Sequence, residues 1–249
     1  VTAALPVSKF DDATFCVMVT RNGRIKRVQM SEFAAVRPSG LIAVNLDEGD
    51  VLGWAKMTTG KQDLILVSEH GQALRFNESK VRAMGRQAAG VTAMRLKPRD
   101  HLTSMDVVDP HGQLLVVTVK GFGKRTPLKE YPAKGRATGG VATLARASMK
   151  TTGNIAAARV VHQEDEITII STGGQALRTQ VAQIRQAGRA TMGTRLINLK
   201  GGDTVASVAR LAAKDLVQPE EAPKKDGKKK EPRAKAAAVV VPGGNGQEG

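Results

Sequence analysis

An internal repeat of about 50 residues constrains this chain more than any other feature of the sequence. Four segments carry an apolar strand, a glycine turn and a second strand that contains an arginine. The segments open as FCVMVTRNGRIKRV (15–28), DLILVSEHGQALRF (63–76), QLLVVTVKGFGKRT (113–126) and EITIISTGGQALRT (166–179). Their turn glycines, Gly23, Gly71, Gly121 and Gly174, are separated by 48, 50 and 53 residues. A repeat of this length predicts one supersecondary unit per segment, with neighbouring units stacked to form shared cores.

The second half of each unit repeats as well. The basic loops read VRPSGLIAV (36–44), GRQAAGVTAM (85–94), GRATGGVATL (135–144) and GRATMGTRLI (188–197). The closing strands read VLGWAKM (51–57), LTSMDVV (102–108), IAAARVV (155–161) and TVASVARL (204–211). Each unit therefore offers about four short strands rich in β-forming residues, with little helical periodicity. This pattern predicts an all-β fold, a propeller of four-stranded blades.

The repeat also sets the predicted domain boundaries. One domain is expected over residues 1–212, with complete blades at about 8–58, 59–108, 109–161 and 162–212. The opening VTAALPV (1–7) matches the closing strands, so it predicts the last strand of an earlier blade, and the chain reads as part of a longer array. From Ala213 the strand pattern stops, and the Lys/Pro-rich residues 213–249 are predicted to be a disordered tail.

The charge distribution points to a polyanionic partner. The formal net charge is +15, and the tail contributes little to it because residues 213–249 hold eight basic and six acidic side chains. A basic folded domain favours nucleic acid, although anionic lipid or an acidic protein would satisfy the same electrostatics. Aromatic residues make up only 3% of the chain, which argues against base-stacking platforms for single strands. We therefore expect binding to the backbone of duplex DNA.

Other function classes find little support in the sequence. The single Cys16 excludes a disulfide framework, and the four histidines do not share a repeat position, so no metal site is predicted. No catalytic constellation stands out, and Trp54 and Tyr131 are interpreted as packing residues. The chain is predicted to hold no cofactor. No apolar run is long enough for a membrane span and no signal peptide is recognisable, which predicts a cytoplasmic protein without membrane contact.

Basic residues that recur in the hairpins and loops are the candidate DNA-binding set. If the blades surround an axis, these residues form a ring of positive charge at one height on the rim, where a bent duplex would meet a cluster at each blade. The predicted contacts are Arg24, Lys26, Arg27, Arg37, Arg75, Arg82, Arg86, Lys124, Arg125, Lys134, Arg136, Arg178, Arg185, Arg189 and Arg195.

Several segments resemble successive blades of the C-terminal domain of the bacterial DNA gyrase A subunit. They are TRNGRIKRVQMSEF with RPSGLIAVNLDEGD, ALRFNESKVRAMGRQAAGV, GFGKRTPLKEYPAKGRATGGV and AQIRQAGRATMGTRLINL. The likeness runs in order over about residues 1–212. It implies a six-bladed β-pinwheel, a propeller variant with strands exchanged between blades, of which this chain lacks the first blades. It also implies wrapping of duplex DNA around a basic rim with a fixed hand and without sequence preference.

The resemblance carries further expectations about the whole enzyme, an ATP-dependent type II topoisomerase in the cytoplasm and associated with the nucleoid. The domain is its non-catalytic part and directs negative supercoiling. Its implied partners are duplex DNA, the N-terminal breakage-reunion domain of the gyrase A subunit, and the gyrase B subunit in an A2B2 complex. ATP and Mg²⁺ are expected on those other parts, and none in this chain.

Two departures and two alternatives accompany this resemblance. The family's signature Gln-Arg-Arg-Gly-Gly-Lys-Gly is not spelled in this chain, and KGRATGG (134–140) is a degenerate relative of it. Tyr131 inherits no catalytic role, because the active-site tyrosine belongs to the breakage-reunion domain. The C-terminal domain of the topoisomerase IV A subunit is similar and is the first alternative. The second is a protein-binding propeller whose basic rim docks an acidic partner.

Overall fold

The computed structural model describes residues 2–216, and their architecture is almost entirely β. The strands form four antiparallel sheets, one for each repeat in the sequence, so the all-β prediction is confirmed. The strands are β1 (Phe15–Thr20), β2 (Arg24–Gln29), β3 (Leu52–Thr58), β4 (Asp63–Ser68), β5 (Gln72–Asn77), β6 (Val91–Thr92), β7 (Leu102–Val107), β8 (Gln113–Thr118), β9 (Phe122–Pro127), β10 (Val141–Ala142), β11 (Ile155–Val161), β12 (Glu166–Ser171), β13 (Ala176–Gln180), β14 (Thr194–Arg195) and β15 (Val205–Leu211).

Helical structure in residues 2–216 is limited to short turns, and none is long or apolar enough to span a membrane. Two are α-helical, α1 (Met149–Thr152) and α2 (Ala213–Leu216). The others are 3-10 turns at Met30–Phe33, Glu78–Lys80, Leu128–Glu130, Arg146–Ser148 and Val181–Gln183.

Helix α2 corrects the predicted start of the disordered tail. The backbone N–H of Ala213 donates to Asp165 Oδ1 at 3.0 Å, and this bond fixes the first residue of the helical turn. The rest of the predicted tail, residues 217–249, lies outside the described residues.

Each repeat begins with the predicted hairpin, and the register is the same in all four. The arginine that follows the turn pairs with Val17, Ile65, Leu115 or Thr168 of the first strand. All four turn glycines have positive φ, for example 86° at Gly23 and 79° at Gly121. A Cβ at Gly121 would also lie 2.7 Å from the carbonyl oxygen of Ile197, in the next repeat. At Gly121, glycine is therefore needed both for the turn and for close packing between repeats, whereas at Gly174 only the turn requires it.

The closing strands form the inner ends of the sheets. Strands β3, β7, β11 and β15 each pair antiparallel with the first strand of their own hairpin, and a register shift recurs at the same place in every pair. Successive closing strands also contact one another, β3 with β7, β7 with β11 and β11 with β15. The opposite edges of the sheets therefore lie at the periphery.

The fourth strand of a sheet comes from the following repeat, so strands are exchanged between blades as the resemblance implies. Strand β6 pairs with β2, β10 with β5 and β14 with β9, in each case linking a basic loop to the preceding hairpin. The blade boundaries at about 58, 108 and 161 therefore mark sequence repeats rather than structural sheets. The fourth sheet has only the three strands β13-β12-β15, because the described residues contain no fifth repeat to supply another.

The predicted closing strand at 1–7 is not observed in the described residues 2–7. Residues 2–7 pair with no described strand, because each of the other closing strands pairs with the first strand of its own hairpin and the described residues hold no such hairpin for this segment. Instead, Leu5 and Val7 pack against the buried Cys16 and Met18. The first basic loop, residues 36–44, likewise forms no strand, because its counterparts pair with a preceding sheet.

Hydrophobic cores lie between neighbouring sheets, because alternate residues of a strand point to opposite faces. In β4, Leu64 and Leu66 pack in a cluster with Val17 and Val19 of the first sheet. The alternate residues of β4 join a second cluster with the third repeat, and β8 divides its residues between the second and third clusters in the same way. Each inner repeat is therefore held from both sides, as the stacked-unit prediction requires.

Tyr131, Trp54 and Cys16 serve packing. Tyr131 is 1% exposed, and its hydroxyl lies 2.5 Å from Thr143 Oγ1 inside the second cluster. Trp54 packs on the first cluster, and Cys16 is buried in the cluster beside the first loop.

Candidate nucleic-acid interface

Three basic loops lie along the outer edges of successive sheets. Each loop begins after the 3-10 turn of its own repeat and ends in the short strand that joins the preceding sheet. Isolated parallel bridges hold each loop where the chain passes from its own repeat to the preceding sheet. In these bridges Arg27 pairs with Ala83 and Arg75 with Ala133. We call the loops at 85–90, 135–140 and 188–193 the outer loops.

The glycine that ends each outer loop allows the close approach to the preceding sheet. Gly90 has φ of 89°, and a Cβ there would lie 2.6 Å from the carbonyl oxygen of Ile25. At Gly193, φ is 82° and the corresponding distance to the carbonyl oxygen of Gly123 is 2.5 Å. Gly40, the counterpart in the first repeat, has positive φ but meets nothing within 4 Å. The glycine at the end of the loop is therefore closely packed in repeats whose short strand joins the preceding sheet, and not in the first repeat.

Two of the loop arginines, Arg86 and Arg136, connect their own repeat to the preceding one. Arg136 donates from Nε to the carbonyl of Lys80 at 3.0 Å and from Nη1 to the carbonyl of Thr92 at 3.0 Å. Arg86 reaches the carbonyl of Ile42 from Nη1 at 3.5 Å. The second and third repeats are therefore joined along their outer edge, and the basic residues of adjacent loops are held side by side.

Solvent-exposed cations follow the same edge. Arg86, Arg136 and Arg189 are half-buried in the outer loops. The exposed cations among the predicted residues are Arg37, Arg82, Lys134, Arg178, Arg185 and Arg195. The structure adds Lys80, Arg95 and Lys129, which the sequence reasoning missed although two of them lie in the turns before the loops. These residues form a basic path that a phosphate backbone could follow.

The arginines that follow the turn glycines in the first three repeats make contacts within the protein. Arg125 donates from Nε to the carbonyl of Ile184 at 2.7 Å and from Nη2 to that of Ala182 at 3.2 Å. Arg75 reaches the carbonyl of Leu128 at 3.2 Å, so it also binds the next repeat.

Arg27 contacts both its own repeat and the next one. Its Nη1 donates to the carbonyl of Gly60 at 3.0 Å, and its guanidinium lies over the Phe15 ring, 4.4 Å from the centroid. The donors of Arg27, Arg75 and Arg125 thus stabilise the packing of the repeats, and the DNA contacts predicted for these residues stay predictions.

Two predicted lysines are also enclosed. Lys26 and Lys124 are each 1% exposed, so neither ammonium group can meet a ligand outside the protein. Both Nζ atoms lie among backbone carbonyls of an outer loop, and desolvation lowers the pKa of Lys124 to about 8. Their predicted direct contacts with DNA are corrected for this reason.

The remaining predicted residues carry local contacts at the surface. Arg24 Nε lies 2.7 Å from Asp47 Oδ2, and Arg178 pairs with Glu166. Arg195, in the exchanged strand β14, lies over the Phe122 ring, 4.6 Å from the centroid. These side chains remain at least partly exposed beside the outer edge.

A buried carboxylate in the 3-10 turn before one outer loop is held by contacts within the protein. Glu78 is fully buried; it accepts hydrogen bonds from Thr58 Oγ1 at 2.6 Å and from the backbone N–H of Gln62 at 2.9 Å. The Glu78 carboxylate therefore takes part in the packing of the fold, and its Oε2 also lies 3.9 Å from Arg27 Nη1. Among residues 2–216, no group of three or more His, Cys, Asp or Glu is placed to hold a metal ion.

Comparison with known protein families identifies all four repeats. The family model described as the DNA gyrase C-terminal domain, beta-propeller, matches residues 14–53, 62–109, 112–162 and 165–212. The chain is 39% identical over 213 residues to the DNA gyrase A subunit of Mycolicibacterium smegmatis, covering 85% of this chain and 25% of that protein. It is 38% identical over 215 residues to the DNA gyrase A subunit of Salmonella typhimurium, covering 85% of this chain and 24% of that protein. The chain thus spans about a quarter of the length of these curated relatives.

Solved structures agree with the sequence relationships. The C-terminal domain of DNA topoisomerase IV superimposes with a TM-score of 0.80 at 29% identity, covering 86% of this chain and 67% of that domain. The DNA gyrase A C-terminal domain gives a TM-score of 0.74 at 27% identity, covering 82% of this chain and 68% of that domain. With a family model that covers every repeat, the chain belongs to the family of DNA gyrase A C-terminal domains.

Proposed function

We propose that this domain binds duplex DNA through the phosphate backbone, along the basic path formed by the outer loops. The observation that carries the proposal is the repetition of exposed cations at the same edge of successive sheets, linked by Arg136. Phosphate contacts from arginine and lysine position a duplex without reading its sequence, so the binding is sequence-nonspecific.

The proposal extends to wrapping. Cations at one height on neighbouring sheets would meet the duplex at successive points, which favours bending it around the domain. A packed scaffold fixes the direction of the bend, and this direction would give the wrap one hand. In this proposal the domain is the non-catalytic part of a type II topoisomerase and directs negative supercoiling.

The proposed partners follow from the family. The breakage-reunion domain of the gyrase A subunit would cleave and rejoin DNA. The gyrase B subunit, within an A2B2 complex, would use ATP and Mg²⁺. This chain would contribute the wrapped segment alone, with no catalytic group or cofactor of its own.

The C-terminal domain of a topoisomerase IV A subunit is the second candidate, supported by the TM-score of 0.80. The curated relatives from Mycolicibacterium smegmatis and Salmonella typhimurium are DNA gyrase proteins and favour gyrase. Both candidates use the same surface for DNA. A protein-binding propeller would instead prefer one acidic partner and would bind it equally well in the presence of competing DNA.

The salt dependence of duplex binding tests the proposal. We expect Arg86→Ala and Arg136→Ala each to weaken binding and to reduce the slope of log K against log salt by about one unit per lost phosphate contact. Fluorescence anisotropy with two duplexes of unrelated sequence, at several salt concentrations, measures both quantities.

Lys56→Gln is the matched control. Lys56 lies on the inner strand β3, where its Nζ is 3.2 Å from Asp106 Oδ1, so this variant removes a positive charge away from the outer loops. We expect it to leave the salt slope unchanged. Unchanged affinity and slope in both loop variants would contradict the proposed interface.

A further inference from the structure

Two buried lysines hold the backbone of outer loops that carry the proposed DNA contacts. Lys124 Nζ donates to the carbonyl of Gly188 at 2.6 Å, to the carbonyl of Arg189 and to Thr191 Oγ1 at 3.0 Å. All three acceptors lie in one loop. An ammonium group has three N–H donors, so this loop provides a partner for each of them.

Lys26 has the same arrangement two repeats earlier. Its Nζ lies 3.0 Å from the carbonyl oxygen of Gly85, 2.9 Å from that of Ala88 and within hydrogen-bond distance of that of Arg86. It also reaches the carbonyl oxygen of Ala43 at 2.9 Å, in the first basic loop. One ammonium group thus joins two loops.

The fold does not require a lysine at this position. Leu74 occupies it in the second repeat: Lys26 pairs with Met18, Leu74 with Leu66 and Lys124 with Val116 in equivalent registers. Above Leu74, the outer loop adopts a different backbone, in which Ala137 has φ of 59° and donates its N–H to the carbonyl of Ala93 at 2.6 Å. A hydrophobic residue is therefore compatible with strand exchange.

A buried ammonium group is expensive, because desolvation disfavours its charge. Its retention at this position in two repeats therefore calls for a benefit beyond packing. The carbonyls of Arg86 and Arg189 are among the acceptors, so each lysine fixes the backbone of an arginine in the proposed DNA path.

We propose that Lys26 and Lys124 are positioning residues for DNA binding, which shape the outer loops of alternate repeats so that Arg86 and Arg189 meet the phosphate backbone. Neither lysine touches DNA. The inference rests on the proposed function and adds to it a buried group on which the surface contact depends.

A double-mutant cycle with a duplex oligonucleotide tests this dependence. We expect Arg189→Ala to weaken binding about fivefold and Lys124→Met to weaken it about as much. With Lys124→Met already present, adding Arg189→Ala should cost less than about twofold, because residues that act as one unit are not additive. Adding Arg136→Ala should retain its full effect, because that arginine lies in a loop that Lys124 does not hold.

Leu74→Met provides the control for an apolar substitution at the same register, and we expect unchanged binding. Hydrogen exchange should show faster exchange of the loop amides at 188–191 in Lys124→Met, with the core strands still protected. If Lys124→Met fails to fold, the same cycle is measured with Lys26→Met and Arg86→Ala, and we expect the same non-additive losses of binding.

Different results would contradict the positioning role of the lysines and the DNA interface itself. Additive losses from Lys124→Met and Arg189→Ala, or unchanged binding in Lys124→Met, would overturn the positioning role. Unchanged binding in Arg189→Ala, Arg86→Ala and Arg136→Ala would instead remove the DNA interface itself.

Discussion

At the scale of single residues, depth in the sheet decides what a basic side chain does. Arg125 and Arg185 lie in contact, since the backbone N–H of Arg125 donates to the carbonyl of Arg185 at 3.1 Å. Arg125 is buried, with its donors on loop carbonyls, whereas Arg185 is exposed at the outer edge. Arginine suits both sites, because its planar fork can satisfy several carbonyls and can also bind phosphate.

The buried charge of Lys124 predicts a pH dependence of stability. Desolvation lowers the pKa of Lys124 from 10.5 to about 8 in the folded protein. Between these values the unfolded chain holds a proton that the folded protein has released, so stability rises with pH through this window. Relative to Lys124→Met, the wild type should gain on the order of 1–3 kcal/mol between pH 8 and pH 10.

Urea unfolding of the wild type and of Lys124→Met between pH 8 and pH 10 measures the difference in their free energies of unfolding. Groups that titrate in both proteins contribute equally and cancel in this difference. The absolute stability of the variant is not part of the prediction, because the lost hydrogen bonds and the lost charge act in opposite directions. A difference that stays constant with pH would show that Lys124 keeps its ordinary pKa.

At the scale of elements, the sequence predicts the long strands well and the exchanged strands poorly. The strands of the hairpins and the closing strands have five to seven residues with repeated apolar patterns, which is long enough to show a period. Strands β6, β10 and β14 have two residues each, and their pairing depends on which sheet they reach. Strand exchange therefore came from the family resemblance and not from periodicity.

The candidate site was predictable to a similar extent. The recurrence of Arg86, Arg136 and Arg189 pointed to the outer loops before the structure placed them there. The same recurrence at Arg27, Arg75 and Arg125 has a structural cause. A packing contact that repeats along the chain favours the same residue type in each repeat, and so does a repeated ligand contact. Burial separates Arg125 from the loop arginines, whereas Arg27 and Arg75 are half-buried like Arg86 and Arg136.

The glycines at the loop ends allow a matched test of strand exchange. At Gly140, φ is 73° and a Cβ would overlap the carbonyl oxygen of Ala73, whereas Gly40 has φ of 77° and an open surrounding. Gly40→Ala should cost only the strain of positive φ, about 1–2 kcal/mol. Gly140→Ala should cost about 1–3 kcal/mol more, because the loop must move away from the sheet.

Urea unfolding measures both changes, and duplex binding should weaken only in Gly140→Ala. Equal losses of stability at the two positions would show that the close contact with Ala73 contributes nothing to the packing of the loop.

At the scale of the whole domain, shared cores turn a chain of similar units into one scaffold. Leu66 packs toward the first repeat and Val67 toward the third, so adjacent residues of β4 belong to different clusters. The outer edge is linked as well, through exchanged strands and Arg136. A surface fixed at both the core and the edge can hold the relative positions of its cations against the resistance of a stiff duplex.

The stiffness of the duplex determines what we expect if this domain wraps DNA. Bending a few tens of base pairs costs on the order of several kcal/mol, so contacts along the whole path must offset it. When nicked circular DNA is ligated in the presence of the chain, we expect a shift of the linking number in one direction that grows with protein concentration. The double variant Arg86→Ala with Arg136→Ala should reduce this shift by more than its loss of affinity requires, because a gap in the path releases the bend on both sides.

Lys56→Gln, measured at the same DNA occupancy, should match the wild type. Tight duplex binding without a shift of the linking number would show that the basic path binds DNA without wrapping it, and the supercoiling role proposed for this domain would then be wrong.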